Sequence, residues 1–223
     1  MGDWSFGGSA GWCDSFMRTW LECQRGLADI RKGQNGMQSR SLHIVGSTGS
    51  AVKRTVAAQD AFKDDVDVLN YALTLEHLES AFYKLAADYE FGNDAFGNSI
   101  GDSLKEIGGH EDAHVETLTK VITSLGGEPV AAAKYDFKVT DANSFLATAA
   151  AVENLGVAAY DGAGSSLKNP DLLTAAGTIV AVEARHASYL NLITGASPFP
   201  AAFETPMTKD EVLAAATPFI VSN

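Results

Sequence analysis

Residues 110–118 read HEDAHVETL, and residues 183–190 read EARHASYL. Both stretches contain the spacing Glu-x-x-His, which puts two polar side chains on one face of a helix, because residues three apart are neighbours on a helix surface. Each is preceded, at the distance of a helical hairpin, by a glutamate on an otherwise apolar stripe. A glutamate followed by Glu-x-x-His therefore occurs twice in the chain. The six residues of the pattern are Glu76, Glu111, His114, Glu153, Glu183 and His186.

Four segments with helical periodicity carry these residues. In each segment the apolar side chains recur at i, i+3, i+4 and i+7, the spacing of a stripe that faces a core. The segment 128–140 lacks this periodicity and is long enough to cross a bundle. The sequence therefore predicts an all-α fold: a four-helix bundle with one long crossover, a short C-terminal helix and an irregular N-terminal extension. The predicted helices run over about 64–89, 99–125, 142–161 (with Asp141 as N-cap), 170–195 and 209–216.

The first and third helices repeat one motif. Residues 76–83 read EHLESAFY and residues 153–160 read ENLGVAAY, which indicates two related hairpins that face each other around a pseudo-two-fold axis. Tyr83 and Tyr160 are the last residues of the two copies, two helical turns after the glutamate that begins each copy. They are the predicted catalytic residues, able to hydrogen-bond the centre or relay an electron; the alternative is two amphipathic core tyrosines.

Three further polar residues lie close to the motif. Glu79 stands three residues after Glu76, and an outward-facing side chain is favoured there over an additional ligand or an outer hydrogen-bond acceptor. His77 and His110 adjoin predicted ligands but point about 100° away from them on a helix. Both are predicted to lie at the surface or just outside the ligand set.

The charge of the six-residue pattern points to metal ions. A single glutamate on an apolar stripe is usually a rim residue or an ion-pair partner, and a single core histidine is usually hydrogen-bonded. Four carboxylates and two imidazoles together would be costly to bury without neutralisation, and the stripes offer no Lys or Arg. Two divalent cations would cancel the four carboxylates. Oxygen and imidazole ligands without thiolate suit iron or manganese, so the predicted cofactors are two metal ions, Fe or Mn.

Composition limits the partners. The net charge of −12 argues against nucleic acid and against an anionic membrane surface. No apolar run approaches the ~20 residues of a transmembrane helix. The sequence therefore predicts a soluble protein that binds neither nucleic acid nor a membrane. Whether the chain forms a homodimer is left open.

Residues 1–57 differ from the rest and are predicted to lie outside the bundle domain, residues 58–223. This N-terminal stretch holds all three tryptophans and both cysteines, and residues 30–59 contain no acidic side chain. An Arg- and Ser-rich, acid-poor start is typical of organelle transit peptides, and a disordered extension or a leader from cloning would look similar. No secretory signal peptide is evident, because no apolar h-region follows Met1. The localisation is left open.

The chain resembles the ferritin-like superfamily, and most closely the ferritin-like domain family that includes plant desiccation-related proteins. The resemblance covers roughly residues 60–220. It implies that the six residues are the ligands of two metals and that one or two glutamates bridge them. Rubrerythrin-like members carry an extra glutamate at the position of Ala150, which argues against a rubrerythrin-type peroxidase, and storage ferritins usually lack the second histidine. The stretches that carry the resemblance are Asp67–Ala81, His110–Leu118, Val152–Tyr160 and Glu183–Leu190.

Two kinds of function follow as hypotheses. The first is a dinuclear-metal oxidoreductase that acts on O2 or H2O2 as an oxidase, peroxidase or catalase-like enzyme, with a small-molecule reductant or substrate. The second is a desiccation, stress-response or metal-sequestering protein without turnover, in which the metals are structural. The first is favoured, because a structural role would not need four glutamates and two histidines.

Overall fold

The computed structural model describes residues 62–221, which are helical apart from loops and two isolated β-bridges. The all-α bundle with a short C-terminal helix, predicted from periodicity, is confirmed. The N-terminal extension and the domain boundary at residue 58 lie outside the described residues and stay predictions. None of the described helices is both long and apolar enough to cross a bilayer. The five helices are α1 (Asp65–Tyr83), α2 (Ile100–Ser124), α3 (Ala142–Gly164), α4 (Pro170–Ile193) and α5 (Lys209–Ala216).

Every helix begins at a side chain that accepts a hydrogen bond from a backbone N–H of the first turn. These N-caps are Asp64, Ser99, Asp141, Asn169 and Thr208. The C-terminal ends differ from prediction by up to two turns. The α-helical part of α1 stops at Tyr83 and continues as a 3₁₀ helix over Lys84–Asp88, whose i→i+3 bonds satisfy carbonyls at the helix end. Helix α3 continues three residues past the predicted end, to Gly164.

The helices form two hairpins, α1 with α2 and α3 with α4, joined by the long crossover. The crossover is held against α1 by one side chain in particular. Asn70 donates to the carbonyl of Glu128 at 3.1 Å and accepts from the N–H of Val130 at 2.7 Å. The Nε2 atom of His77 lies 3.1 Å from the Val130 carbonyl oxygen, so this histidine contacts the crossover and not the bundle centre.

Aromatic packing closes the core at the C-terminal end of α1. Phe82 stacks on Phe145 of α3 with ring centroids 4.4 Å apart, and Phe137 of the crossover meets Phe82 edge-on at 5.0 Å. Helix α5 packs on α3 and buries Val212 completely. The middle of the bundle is polar instead, and it is there that the candidate site lies.

Candidate metal centre

The structure brings all six predicted ligands together at the middle of the bundle. Each of the four helices contributes from its core-facing stripe, so their convergence follows from helix packing. The four glutamates are fully buried, and His186 is 5% exposed. The side chains form two overlapping groups, and within each group one ligand atom per residue lies within 4.8 Å of all the others. The first group is Glu76, Glu111, His114 and Glu183; the second is Glu111, Glu153, Glu183 and His186.

In the first group one imidazole nitrogen faces three carboxylates. The Nδ1 atom of His114 lies 3.2 Å from Glu76 Oε2, 3.1 Å from Glu111 Oε2 and 3.0 Å from Glu183 Oε1. A ring nitrogen carries at most one proton, so it can donate to only one of these oxygens at a time. The arrangement therefore provides more acceptors than the histidine can satisfy.

The second group has the same construction. The Nδ1 atom of His186 lies 3.0 Å from Glu111 Oε1 and 3.2 Å from Glu153 Oε2. Glu111 directs one carboxylate oxygen to each histidine, and Glu183 belongs to both groups. Glu111 and Glu183 are therefore shared between the two groups.

The donor set fits a metal ion in each half. Three buried carboxylate oxygens, Oε1 of Glu111 and both oxygens of Glu183, have no partner in hydrogen-bond geometry, which is rare for buried polar atoms. With bond lengths of about 2.1 Å, adjacent ligands of an octahedral ion lie about 3.0 Å apart, close to the separations between these nitrogen and oxygen atoms. Six oxygen and nitrogen ligands without thiolate also match the preference of Fe and Mn.

The pKa values of the two histidines and of the glutamates depend on one another. Burial by itself lowers the pKa of a histidine, but the surrounding carboxylates outweigh it and raise the pKa of His114 to about 12 and that of His186 to about 9. Burial raises the pKa of Glu76 to about 7 and that of Glu183 well above its usual range. Burial by itself would raise the pKa of Glu111, but the imidazoles of His114 and His186 beside it outweigh burial and lower the pKa to about 2. Protons bound by His114, His186, Glu76 and Glu183 therefore neutralise part of the carboxylate charge of the centre.

Tyr83 and Tyr160 reach the centre, and each reaches the opposite hairpin. Tyr83 of α1 donates its hydroxyl hydrogen to Glu153 Oε1 at 2.5 Å, and Tyr160 of α3 donates to Glu76 Oε1. This exchange of equivalent bonds is what a pseudo-two-fold relation between the hairpins produces. Burial comes first among the causes that raise the pKa of both phenols well above 10, so both remain neutral hydrogen-bond donors.

Comparison with known proteins agrees with this arrangement. Residues 64–196 match the sequence family described as a ferritin-like domain, and this range includes all six candidate ligands. The chain belongs to the ferritin-like domain family. The resemblance predicted from the four motif stretches is thereby confirmed.

A solved structure shares the fold of this ferritin-like domain. It is the crystal structure of a conserved hypothetical protein from Mycobacterium tuberculosis, 22% identical in sequence, with a TM-score of 0.50. The match covers 61% of this chain and 94% of the other, and at this identity it supports the fold alone. A search among curated proteins finds no significant match.

The ferritin-like domain buries one acidic residue that the sequence analysis placed outside. Glu79 of α1 is 2% exposed, so the expected outward-facing side chain is wrong. A Cβ built on Gly156 of α3 would lie 2.8 Å from Glu79 Oε1, which places this carboxylate against the opposite hairpin. The sequence shows a glycine, Gly156, three residues after Glu153. Only the packing of the helices shows that the side chain of Glu79 fills the space beside this glycine.

His110 contacts the second half of the centre from outside. Its Nδ1 atom lies 2.9 Å from Nε2 of His186, and the two rings stack with centroids 5.2 Å apart. His186 faces the carboxylates through its Nδ1 atom. His110 contacts the other ring nitrogen of His186, Nε2. This agrees with the expected place beside the ligand set, and such partners orient metal-binding histidines.

Proposed function

We propose that this ferritin-like domain binds two Fe or Mn ions through Glu76, Glu111, His114, Glu153, Glu183 and His186, and that it is an oxidoreductase acting on O2 or H2O2. The observation that carries the proposal is the convergence of two or three carboxylate oxygens on each histidine Nδ1 at 3.0–3.2 Å. A histidine proton satisfies one such oxygen, whereas a metal ion would bind them all. Two redox-active ions held by these residues would be able to supply one electron each to a dioxygen or peroxide bond.

The chain's own residues hold the carboxylates in place. Tyr83 and Tyr160 each occupy one oxygen of Glu153 and Glu76, which leaves the second oxygen of these glutamates directed at His186 and His114. In this way the tyrosines fix the carboxylate orientation. They also stand within reach of the centre as hydrogen-bond donors, the position that a proton or electron relay would require.

Two openings support access by a small molecule. A pocket of about 320 Å³ between α2 and α4 is lined by both candidate histidine ligands and by His110, Val182 and Arg185. On another side, an apolar cavity of about 40 Å³ adjoins Tyr160; a cavity of about 10–15 Å³ by this measure already holds a water molecule. The pocket beside the histidines has room for H2O2 or a small reductant, and the apolar cavity suits O2.

The alternative is a stress-related or metal-sequestering protein in which the metals are structural. The complete burial of the four glutamates favours it, because metal ions would stabilise the bundle by neutralising their charge. The two functions differ in turnover: both bind metal, but only the redox function consumes O2 or H2O2 catalytically.

The decisive experiment is metal analysis of the purified full chain, followed by O2 and H2O2 assays. We expect about two Fe or Mn ions per chain after anaerobic reconstitution, and steady consumption of O2 or H2O2 over many turnovers. Metal binding without turnover would favour the structural alternative. A chain that cannot be loaded with metal would contradict both.

A double variant tests the ligand assignment. Glu111→Ala with His114→Ala removes the shared carboxylate and one imidazole, so we expect metal to be lost from the first half at least. The matched control is Glu116→Ala, an exposed glutamate of the same helix that pairs with Lys120, which should retain two ions. Wild-type stoichiometry in the double variant would refute the assignment. Because the double change could disturb packing, Glu111→Gln provides a second variant of unchanged size.

A further inference from the structure

The apolar cavity of about 40 Å³ lies in the layer of the bundle next to the first ligand group. Three of the residues that line it stand four positions, one helical turn, from a ligand of that group. Residues four apart share a helix face, so the cavity adjoins the first group directly. The three pairs are Ala72 with Glu76, Leu118 with His114, and Ile179 with Glu183.

The same cavity lies farther from the ligands that belong only to the second group. His186 stands two turns after Ile179, and Glu153 stands six residues before Ala159, the first cavity residue of α3. One side chain connects the cavity to the centre. Tyr160 lines the cavity, and its hydroxyl donates to Glu76 of the first group. A molecule in the cavity is therefore separated from the first group by this tyrosine.

The wall of the cavity offers little to a polar molecule. Among its seventeen lining residues only Tyr71, Thr117 and Tyr160 carry a polar side-chain atom, and none is charged. The Tyr160 hydroxyl is engaged with Glu76, whereas the buried hydroxyl of Tyr71 has no partner. H2O2 would lose the hydrogen bonds of both its hydroxyl groups on entry, which is costly. O2 needs no hydrogen bonds and enters without this cost.

Solvent lies nearest to the cavity on the side of α2 and α4. The lining residues of these helices include half-buried Thr117, Val121, Ala175 and Ala176, whereas those of α1 are all buried. Two alanines at this side leave space that larger side chains would fill. The opposite end of the core is closed by the aromatic packing around Phe82. The cavity thus provides an apolar approach to the centre from one end of the bundle.

We propose that this cavity is a binding site for O2, from which O2 passes to the ion held by the first group. The inference rests on the proposed function and specifies its substrate and its direction of approach. H2O2 does not use this path, because the wall cannot replace its hydrogen bonds to water. The pocket beside the histidines remains the opening for polar molecules.

Xenon is the probe for the cavity, because apolar cavities in proteins bind it. The purified full chain is titrated with xenon under pressure and followed by xenon NMR, and crystals under xenon locate the bound atom. We expect xenon in the cavity of the wild type. Ala176→Leu fills the side that faces α2, so we expect the bound xenon to be lost. The matched control is Ala181→Leu, an exposed residue of the same helix outside the cavity wall, which should bind xenon as the wild type does.

The kinetics of the metal-loaded chain test the path from the cavity to the centre. In Ala176→Leu we expect kcat/KM for O2 to fall by about threefold or more, because a binding step that precedes the reaction is impaired. The metal content and kcat/KM for H2O2 should stay as in the wild type. Ala181→Leu should change neither. Ala176→Val adds two carbon atoms in place of three and provides a second variant with a smaller effect on packing.

The outcomes separate this inference from the proposed function. A wild-type chain that binds no xenon in the cavity would overturn the inference and leave the dinuclear site intact. Loss of xenon in Ala176→Leu with unchanged O2 kinetics would also overturn it. Consumption of H2O2 but not O2 would overturn the inference alone, and consumption of neither would overturn the proposed function as well. Loss of xenon together with a selective fall for O2, with Ala181→Leu unchanged, would support it.

Discussion

At the scale of single residues, the protonation of the centre couples the stability of the metal-free protein to pH. The pKa of His186 is raised to about 9 from a usual value of 6.5, and the pKa of His114 is raised further, to about 12. Above pH 6.5 the folded state therefore binds more protons than the unfolded state, so the free energy of unfolding falls as the pH rises. The stabilisation is complete below pH 6.5 and is lost as the pH passes through 9 for His186.

This gives a prediction for the chelated protein. Its melting temperature should fall between pH 6.5 and 9, with each shifted group contributing up to about 1.4 kcal/mol per pH unit. The pKa of Glu76 is about 7, against a usual 4.5. The folded state therefore binds the proton of Glu76 more tightly than the unfolded state, so the free energy of unfolding also falls between pH 4.5 and 7. Calorimetry of metal-free and metal-loaded protein measures the effect. The loaded protein should lack the fall, since metal has replaced the protons; a flat profile without metal would contradict the prediction.

The two tyrosines give a second residue-scale prediction. Tyr83→Phe and Tyr160→Phe each remove a hydrogen bond to a carboxylate, a loss of about 1.5–3 kcal/mol in the free energy of unfolding at pH 8. Tyr89→Phe is the control, because that hydroxyl donates to the neutral carbonyl of Val139 and its loss costs about 1 kcal/mol. Urea denaturation of the metal-free variants provides the measurement. Equal losses in all three variants would show that the bonds to the glutamates have no special strength.

At the scale of the helices, α5 is fixed by a close backbone crossing. A Cβ built on Gly162 of α3 would lie 1.8 Å from the carbonyl oxygen of Met207, and the N–H of Met207 bonds the carbonyl of Ala158 at 3.1 Å. The segment that precedes α5 therefore runs across the backbone of α3 at this glycine. The crossover is attached in a comparable way to α1 through Asn70.

Two glycine substitutions test this crossing. Gly162→Ala should destabilise the protein by about 1–3 kcal/mol, because the clash is with backbone and overpacking of this kind costs that much. Gly177→Ala, on the open face of α4, should stabilise it by about 0.5–1 kcal/mol, because alanine is the better helix former. Chemical denaturation followed by circular dichroism distinguishes the two. Stabilisation by both changes would show that α5 does not hold this position in solution.

At the scale of the whole molecule, the proposed metal binding links the stability of the fold to the metal concentration. The four helices meet at a centre that carries four buried carboxylates, so ions that bind only the folded state stabilise it by mass action. At free metal one hundred times the Kd, this stabilisation is about 2.7 kcal/mol for one site. Metal ions bound at this centre would therefore contribute part of the stability of the bundle.

Removal of the metal should lower the melting temperature. We expect strong chelation near pH 7 to lower it, and restoration of Fe²⁺ or Mn²⁺ to reverse the change. Differential scanning calorimetry before and after chelation measures the shift. The Glu111→Ala, His114→Ala double variant is the control and should respond less than the wild type. An unchanged melting temperature in metal-free wild-type protein would argue against a metal site at the bundle centre.

The helices and the candidate ligands could be predicted from the sequence, because both depend on short-range spacing. Apolar residues at the helical period predict the four helices, and Glu-x-x-His places two side chains on one face wherever such a helix forms. The hypothesis that metal ions neutralise the four carboxylates also rests on residue types alone. The ends of α1 and α3 were less accurate, because helix termini depend on local hydrogen bonds that periodicity does not encode.

The side chains that meet across the hairpins are visible only once the helices are packed. Tyr83 pairs with Glu153 and Tyr160 with Glu76, although each lies in sequence near the other glutamate. The outward-facing side chain that the sequence favours for Glu79 is wrong, because the burial of Glu79 depends on a glycine of another helix. Contacts of this kind arise from the packing of distant segments, and the packing is set by the shape of every side chain between them.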